Sequence, residues 1–212
     1  MNSLLSLLET RVVGVLVEKQ HTVPDSYPLT LNYLVSGCNQ KNARDPVMEA
    51  TETEVQAAID RLKTLSLVME SSGGRVMRYA QNVGKVLAIP PQSVALLAVL
   101  FLRGSQTAGE LRINSERFHK FGDILAVEGF LNEMAERAAG ALVRELARQP
   151  GARETRWAHL LSGEPAIAAV DITSASAAEG SVSTSELAAM KARLDALEAT
   201  MARLCKELGI AP

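Results

Sequence analysis

The sequence predicts an α+β fold, mainly α-helical with small β-hairpins, because one helix-and-hairpin pattern occurs twice. Residues 51–79 and 123–157 each begin with apolar side chains at steps of four and three, which places them on one face of a helix. Each stretch then continues into two short apolar runs around a glycine-containing turn, the pattern of a β-hairpin. The helical triplets are Val55, Ile59 and Leu62 in the first stretch and Val127, Leu131 and Met134 in the second.

Two helices are predicted before the first of these stretches. Ser6 and Glu9 have the spacing of a capping box, and apolar residues follow at helical spacing for about four turns. A second helix is predicted from residue 31 to residue 38, after a segment whose two prolines favour extended or turning backbone. Thr51 and Glu54 form a further capping box at the start of the third helix. The first hairpin is predicted at 67–70 and 75–79, with a tight turn between them.

The second unit repeats this order. Apolar residues between 94 and 101 predict its first helix, which should end near Gly104. Thr107 and Glu110 have capping-box spacing and open a short second helix that reaches about residue 113. Asp123 is the predicted N-cap of the third helix.

Three helices followed by a hairpin form the winged-helix arrangement, a variant of the helix-turn-helix. We therefore predict tandem winged-helix domains at residues 1–86 and 87–162, joined by a short connection at 83–91. The second hairpin is predicted at 141–146 and 153–157. Residues 163–182 are mostly Ala, Ser, Glu, Gly and Thr, a composition that predicts a flexible linker.

Residues 183–212 predict a coiled-coil helix, since apolar residues alternate at steps of three and four over about three heptads. With Leu187 at an a position, the g–e pairs Glu186–Lys191 and Arg193–Glu198 are opposite in charge. This pattern favours a parallel coil and a homodimer, and an amphipathic helix folded back on the same chain is the alternative. The predicted dimer seam consists of Leu187, Met190, Leu194, Leu197, Met201, Leu204 and Leu208.

Composition and cysteine usage favour a cytoplasmic protein. The net charge of −2 gives no general attraction to nucleic acid or to an anionic membrane. Cys38 and Cys205 are far apart and do not suggest a disulfide framework, which fits a reducing compartment. No signal-peptide pattern opens the chain, and the longest apolar run, 94–102, is too short to span a bilayer.

Motifs of catalysis and metal binding are absent from the sequence. The chain has no phosphate-binding Gly-Lys loop, no His-Glu-x-x-His and no Gly-x-Ser-x-Gly. His21, His119 and His159 stand singly, with no Cys or acidic partner at ligand spacing. Cys38 falls on the apolar face of its predicted helix and is expected to be an inert, buried thiol. We therefore expect no enzyme activity, no cofactor and no bound metal.

Four segments have the character of a family signature. They read LLETRVVGVLVEKQ (7–20), YPLTLNYLVSGCNQKNARDPVM (27–48), LLAVLFLRGSQTAGELR (96–112) and ARETRWAHLLSGE (152–164). Together they resemble the YceH-like family of uncharacterised bacterial proteins, over nearly the whole chain. One departure is Gly37, where the family pattern has Ala. The resemblance implies two winged-helix domains, a bacterial cytoplasmic setting and a C-terminal coiled segment. It implies no settled activity and no catalytic residues.

Nucleic-acid binding is the first functional hypothesis. A winged helix usually places its third helix in the major groove and its hairpin against the phosphate backbone. Both predicted third helices carry more carboxylates than cations, so they suit phosphate poorly. The basic residues lie instead on the second hairpin and on a polar corner after the second helix. The predicted nucleic-acid contacts are Asn39, Gln40, Lys41, Arg44, Arg144, Arg148, Arg153 and Arg156.

A further basic cluster consists of Arg112, Arg117 and Lys120, with Phe118 and His119 between them. A solvated surface explains each basic cluster equally well. We predict a non-enzymatic, regulator-like homodimer that binds double-stranded DNA and no membrane. The alternative is a protein–protein interaction module without nucleic-acid binding, whose acidic third helices meet a protein partner.

Overall fold

A computed structural model describes residues 4–72 and 76–164, which lie within one compact unit and confirm the α+β prediction. The predicted linker after residue 164 and the predicted coil at 183–212, with its seam from Leu187 to Leu208, lie outside the described residues. No helix in the described ranges is long and apolar enough to cross a membrane. The helices are α1 (Leu7–Thr22), α2 (Leu31–Cys38), α3 (Glu52–Thr64), α4 (Val83–Leu87), α5 (Pro91–Arg103), α6 (Ala108–Asn114) and α7 (Ile124–Ala135), and the strands are β1 (Val68–Ser71), β2 (Arg78–Gln81), β3 (Val143–Leu146) and β4 (Arg156–His159).

The predicted helix starts are confirmed by their capping geometry. Capping boxes are present at α1, α3 and α6, where the N-cap hydroxyl accepts from the backbone N–H three residues later and the glutamate side chain accepts from the N-cap N–H. Asp123 Oδ1 accepts from Ala126 N at 2.8 Å and caps α7 as predicted. At the other end of α5, Gly104 has a φ of 72°, a conformation that favours glycine and ends the helix where it was predicted to end.

An isolated β-bridge extends the internal repeat. In the first unit, defined here as α1 to β2, Leu29 precedes α2 and pairs antiparallel with Tyr79 of β2. In the second unit, α5 to β4, Gln106 precedes α6 and pairs in the same way with Trp157 of β4. Both units therefore follow the order helix, bridge, helix, helix and hairpin.

Two local details differ from the sequence prediction. The first hairpin is confirmed, but its strands lie at 68–71 and 78–81, where 67–70 and 75–79 were predicted. The connection predicted at 83–91 contains the short helix α4. This helix has no side-chain cap and includes Gly84, so neither a cap nor helical periodicity marks it in the sequence.

The two units share one hydrophobic core. Helix α1 packs along α5 so closely that a Cβ at Gly14 would lie 2.9 Å from Leu102 Cγ. The ring of His21, at the end of α1, stacks on Phe118 of the second unit with centroids 6.4 Å apart. One cluster of buried side chains runs from Leu5 through both units. The boundary predicted near residue 86 remains a prediction about separate folding, which unfolding measurements can test.

The loop of residues 39–51, between α2 and α3, is fixed to the rest of the protein by polar side chains. Asn39 Nδ2 donates to Ala50 O at 2.8 Å, and Ala50 N donates back to Asn39 Oδ1 at 2.7 Å. Arg11, fully buried on α1, donates from Nη2 to Pro46 O at 2.7 Å. Asp45 N donates to Leu102 O at 2.8 Å, which joins the loop to the end of α5. These bonds fix the loop against both units, although most of its residues are exposed or half-buried.

Candidate nucleic-acid interface

The polar corner predicted to contact nucleic acid is only partly exposed, since Arg44 is buried and Asn39 and Gln40 are half-buried. The Arg44 side chain has no exposed surface, and its Nη2 lies 2.5 Å from Glu18 Oε2. Arg44 also donates to Gly37 O at 3.1 Å and to Gln40 Oε1 at 3.1 Å. Asn39 is occupied by the loop backbone, as described above. In this corner Lys41 is the exposed cation, and it has no ion pair among the described residues.

The neighbouring thiol is buried as expected. Cys38 has no exposed surface at the end of α2, and burial raises the pKa of its thiol to about 12. A thiol of this kind is protonated and unreactive near neutral pH, so the structure supports the interpretation of Cys38 as a small core residue.

The four arginines of the second hairpin divide into two pairs. Arg156 is tied to the start of α6, since its Nη1 donates to Ser105 O at 2.6 Å and its Nη2 donates to Glu110 Oε1 at 3.0 Å. Arg144 forms an exposed ion pair with Glu164. Arg148 and Arg153 lie in the loop between β3 and β4, where both are exposed and neither has an ion pair within the described ranges. Of the four hairpin arginines predicted to contact nucleic acid, Arg148 and Arg153 are thus without a partner among the described residues and available to a ligand.

The cations of α3 are already neutralised by carboxylates from other elements. Arg61 Nη1 lies 2.8 Å from Glu9 Oε2 on α1. Lys63 forms an ion pair with Glu70 of β1, and this hydrogen bond raises the pKa of Lys63. The acidic residue Glu52 remains exposed on the outer face of α3. This helix consequently presents a surface that repels phosphate.

Helix α7 is also unsuited to phosphate. It contains Glu128 and Glu133 and has no Lys or Arg between its ends. Arg137, two residues past its last residue, donates to Leu87 O of α4. The exposed side chains at its start are apolar, with Ile124 44% and Leu125 74% exposed. The prediction that neither third helix resembles a usual major-groove reader agrees with these observations.

The cluster after α6 combines inward aromatic rings with outward cations. Phe118 packs on the core, and the His119 ring lies edge-on to Phe121 with centroids 4.7 Å apart. Arg112, Arg117 and Lys120 are exposed and have no carboxylate partner in the part of the chain that the structure describes. Arg112 Nη2 makes one long hydrogen bond of 3.4 Å to Gly122 O.

The second hairpin and α6 lie side by side, because Arg156 joins β4 to Ser105 and Glu110. In the same region a Cβ at Gly109 of α6 would lie 3.9 Å from Glu154 Oε2 of the hairpin loop. The exposed cations of α6, of the segment that follows it and of the hairpin loop all belong to the second unit. We call this set the α6–hairpin surface, and it consists of Arg112, Arg117, Lys120, Arg148 and Arg153.

Sequence reasoning did not single out Arg103. This arginine occupies the last turn of α5, a position where a cation commonly accompanies the end of a helix, so nothing in the sequence distinguishes it. In the structure it is half-buried, lines a polar groove and has no ion pair or hydrogen bond through its side chain among the described residues.

The histidines do not approach each other or a set of acidic residues. No group of three or more His, Cys, Asp or Glu side chains that could hold a metal ion occurs in residues 4–72 and 76–164. His159 lies against Phe101 in an edge-to-face arrangement, with ring centroids 4.9 Å apart, and its buried Nδ1 has no hydrogen-bond partner there. Burial lowers the pKa of His159 to about 4.

We expect this lowered pKa to make the protein less stable in mild acid. The folded state keeps His159 neutral while the unfolded state protonates it below about pH 6.5, so stability is lost as the pH falls from 6.5 towards 4. The loss due to His159 at pH 5 should be about 2 kcal/mol. Urea unfolding measures the free energy of unfolding at pH 7.5 and at pH 5. The decrease in this free energy between the two pH values should be smaller in His159→Gln than in the wild type by this amount. Equal pH dependence in the two proteins would contradict the assignment.

Comparison with known proteins identifies an uncharacterised family of bacterial proteins. The model of a family described as "Protein of unknown function, DUF480" matches residues 5–152, and the chain belongs to this family. A "UPF0502 protein" of Leptothrix cholodnii is 52% identical over 97% of this chain and 96% of its own length. Another of Dechloromonas aromatica is 54% identical, covering 94% of this chain and 92% of the relative. These matches confirm the resemblance found in the sequence.

Proposed function

We propose that the protein is a non-enzymatic, regulator-like nucleic-acid-binding protein that contacts the phosphate backbone of double-stranded DNA through its second unit. The observation that supports this proposal is the α6–hairpin surface, whose cations are exposed, belong to one unit and have no carboxylate partners among the described residues. Phosphate contacts by Lys and Arg provide most of the affinity of such an interface.

The order of elements supports a winged-helix assignment for each unit. In both units a residue two positions before the start of the second helix forms a one-residue bridge with the hairpin, namely Leu29 with Tyr79 and Gln106 with Trp157. A usual helix-turn-helix joins its helices by a turn of about three to four residues. Here residues 39–51 separate α2 from α3, and that loop is bound to α1 and α5. The first unit is thus proposed to have a supporting role in DNA binding.

The mode of binding follows from the distribution of charge. The third helices expose carboxylates or apolar side chains, which disfavours insertion into the major groove. The hairpin loop carries Arg148 and Arg153 at the position where a wing meets the backbone. Binding led by the wing would depend on phosphates and show little preference for base sequence.

A salt titration of the full chain on a random-sequence labelled duplex tests this proposal. We expect the logarithm of the affinity to fall linearly with the logarithm of the salt concentration. The slope should be shallower by about 2 in the double variant Arg148→Gln, Arg153→Gln, because each lost phosphate contact reduces it by about 0.9. Fluorescence anisotropy of the labelled duplex measures the affinity at each salt concentration and therefore also the slope.

The matched control is the double variant Arg78→Gln, Lys85→Gln. It removes the same number of positive charges from exposed positions on β2 and on α4, neither of which contributes to the α6–hairpin surface. This control should keep the wild-type slope. Absence of binding at low salt, or an equal loss in the control, would refute the proposal.

A protein-interaction module is the second candidate, and exposed apolar residues favour it. Ile113 on α6 is 69% exposed and Leu125 on α7 is 74% exposed, at the corner where a helix-turn-helix would meet its ligand. Large exposed aliphatic side chains suit a protein partner better than phosphate. This candidate predicts no salt-dependent binding to the duplex, so the same titration separates the two functions.

A further inference from the structure

A polar groove of about 320 Å³ lies where the loop of the first unit meets the second unit. One wall is formed by that loop around Asp45, and the others by the end of α5, by α6 and by β4. A smaller adjacent pocket shares Arg103 and Asn114 with this groove and extends it to Arg117. None of the residues singled out from the sequence suggested a cavity at this place.

The walls of the groove are held in position by hydrogen bonds. Arg156 is fixed by Ser105 and Glu110, as described for the hairpin. Asn114 Nδ2 donates to Gln106 Oε1 at 2.8 Å, which orients the Gln106 amide. Because the protein's own residues make these contacts, binding would cost little additional ordering of these side chains.

Several donors in the groove have no acceptor. The half-buried Arg103 makes no side-chain hydrogen bond or ion pair with the described residues, and the same holds for Arg117, which is exposed. Gln106 is 6% exposed, and its Nε2 remains accessible from the groove and donates no hydrogen bond within these residues, although its Oε1 accepts one. A buried or half-buried donor is stabilised by an acceptor, and a guanidinium group pairs best with a planar or tetrahedral oxyanion.

We propose that this groove binds a small anion of the phosphate or carboxylate class, with Arg103 as its main ligand and with Arg117 and Gln106 Nε2 as further donors. The guanidinium groups of Arg44 and Arg156 are already paired with Glu18 and Glu110 and position the site instead of supplying charge. The bound anion joins the loop of the first unit to α5 and α6 of the second. This inference does not depend on DNA binding.

Thermal unfolding of the full chain tests the site, with inorganic phosphate and citrate as ligands and sodium chloride as the control for ionic strength. We expect about 10 mM phosphate or citrate to raise the unfolding midpoint by about 3 °C, as ligands that bind only the folded state do. Arg103→Gln should abolish this rise, and Arg103→Lys should reduce it because lysine lacks the bidentate geometry. The exposed-site control Arg148→Gln should retain it.

The proposal would be overturned if the anions raised the unfolding midpoint equally in the wild type and in Arg103→Gln. It would also be overturned if neither anion raised the midpoint of the wild type. The duplex titration separates a free anion from the phosphates of nucleic acid. If Arg103→Gln loses the response to phosphate but keeps the duplex affinity and salt slope, the groove is a site for a free anion. If the variant weakens duplex binding while phosphate and citrate have no effect, Arg103 belongs to the DNA surface and the groove proposal is wrong.

Discussion

Replacing Leu34 with Ala in the first unit is expected to lower the unfolding midpoint that is measured in the second. Leu34 lies on α2 with no exposed surface, and truncation of a fully buried leucine costs about 2–5 kcal/mol. Trp157, the one tryptophan of the chain, is 5% exposed on β4 and reports on the second unit through its fluorescence. We expect the unfolding midpoint measured by Trp157 fluorescence to fall by the same amount as the midpoint measured by the loss of helical circular dichroism.

The reason for this coupling is the shared core. Helices α1 and α5 are in contact along their lengths, as the close approach of Gly14 to Leu102 shows. Neither unit can expose its side of this contact without removing apolar cover from the other, so both should unfold in one cooperative transition. Leu131→Ala on α7, also fully buried, is the matched change in the second unit and should shift both signals by a similar amount.

Independent domains would give a different result. If residues 1–86 and 87–162 unfold separately, Leu34→Ala will lower the midpoint of one part of the circular dichroism transition and leave the fluorescence of Trp157 unchanged. Two transitions in the variant would therefore establish the predicted boundary and contradict the coupling proposed here.

The helices could be predicted because their signals are local. A capping box such as Thr51 with Glu54 involves residues three apart, and the buried triplet Val55, Ile59 and Leu62 lies on one face of one helix. The hairpin limits were less accurate, because the pairing of Ser71 with Arg78 is set by strand register and not by the glycine pair.

The candidate site was harder to predict because its charges are balanced by residues distant in sequence. Arg44 could be recognised as a cation, but its partner Glu18 lies on another helix and removes it from the surface. Arg156 and Glu110 are brought together only when the hairpin packs against α6. Arg148 lies in the loop that the sequence indicated. Arg153 was predicted to begin the second strand of the hairpin, but β4 begins at Arg156, so Arg153 lies in the loop as well and is exposed.

Replacing Arg44 with Met is expected to destabilise the protein by about 3 kcal/mol, because it leaves the largely buried carboxylate of Glu18 with only the longer ion pair to Lys19, at 3.5 Å. It also removes the donor to Gly37 O, so the loop of residues 39–51 loses a contact with α2. Urea unfolding of the full chain measures the effect. Arg148→Met, at an exposed site without a partner in the described ranges, should change stability by no more than about 0.5 kcal/mol.

A double-mutant cycle shows whether the ion pair is the cause. The double variant Glu18→Met, Arg44→Met removes both charges, so we expect it to be more stable than Arg44→Met alone by at least about 1 kcal/mol. This recovery would mean that the isolated carboxylate, and not the lost side-chain volume, destabilises the single variant. A double variant whose loss equals the sum of the two single losses would show that Glu18 and Arg44 act independently.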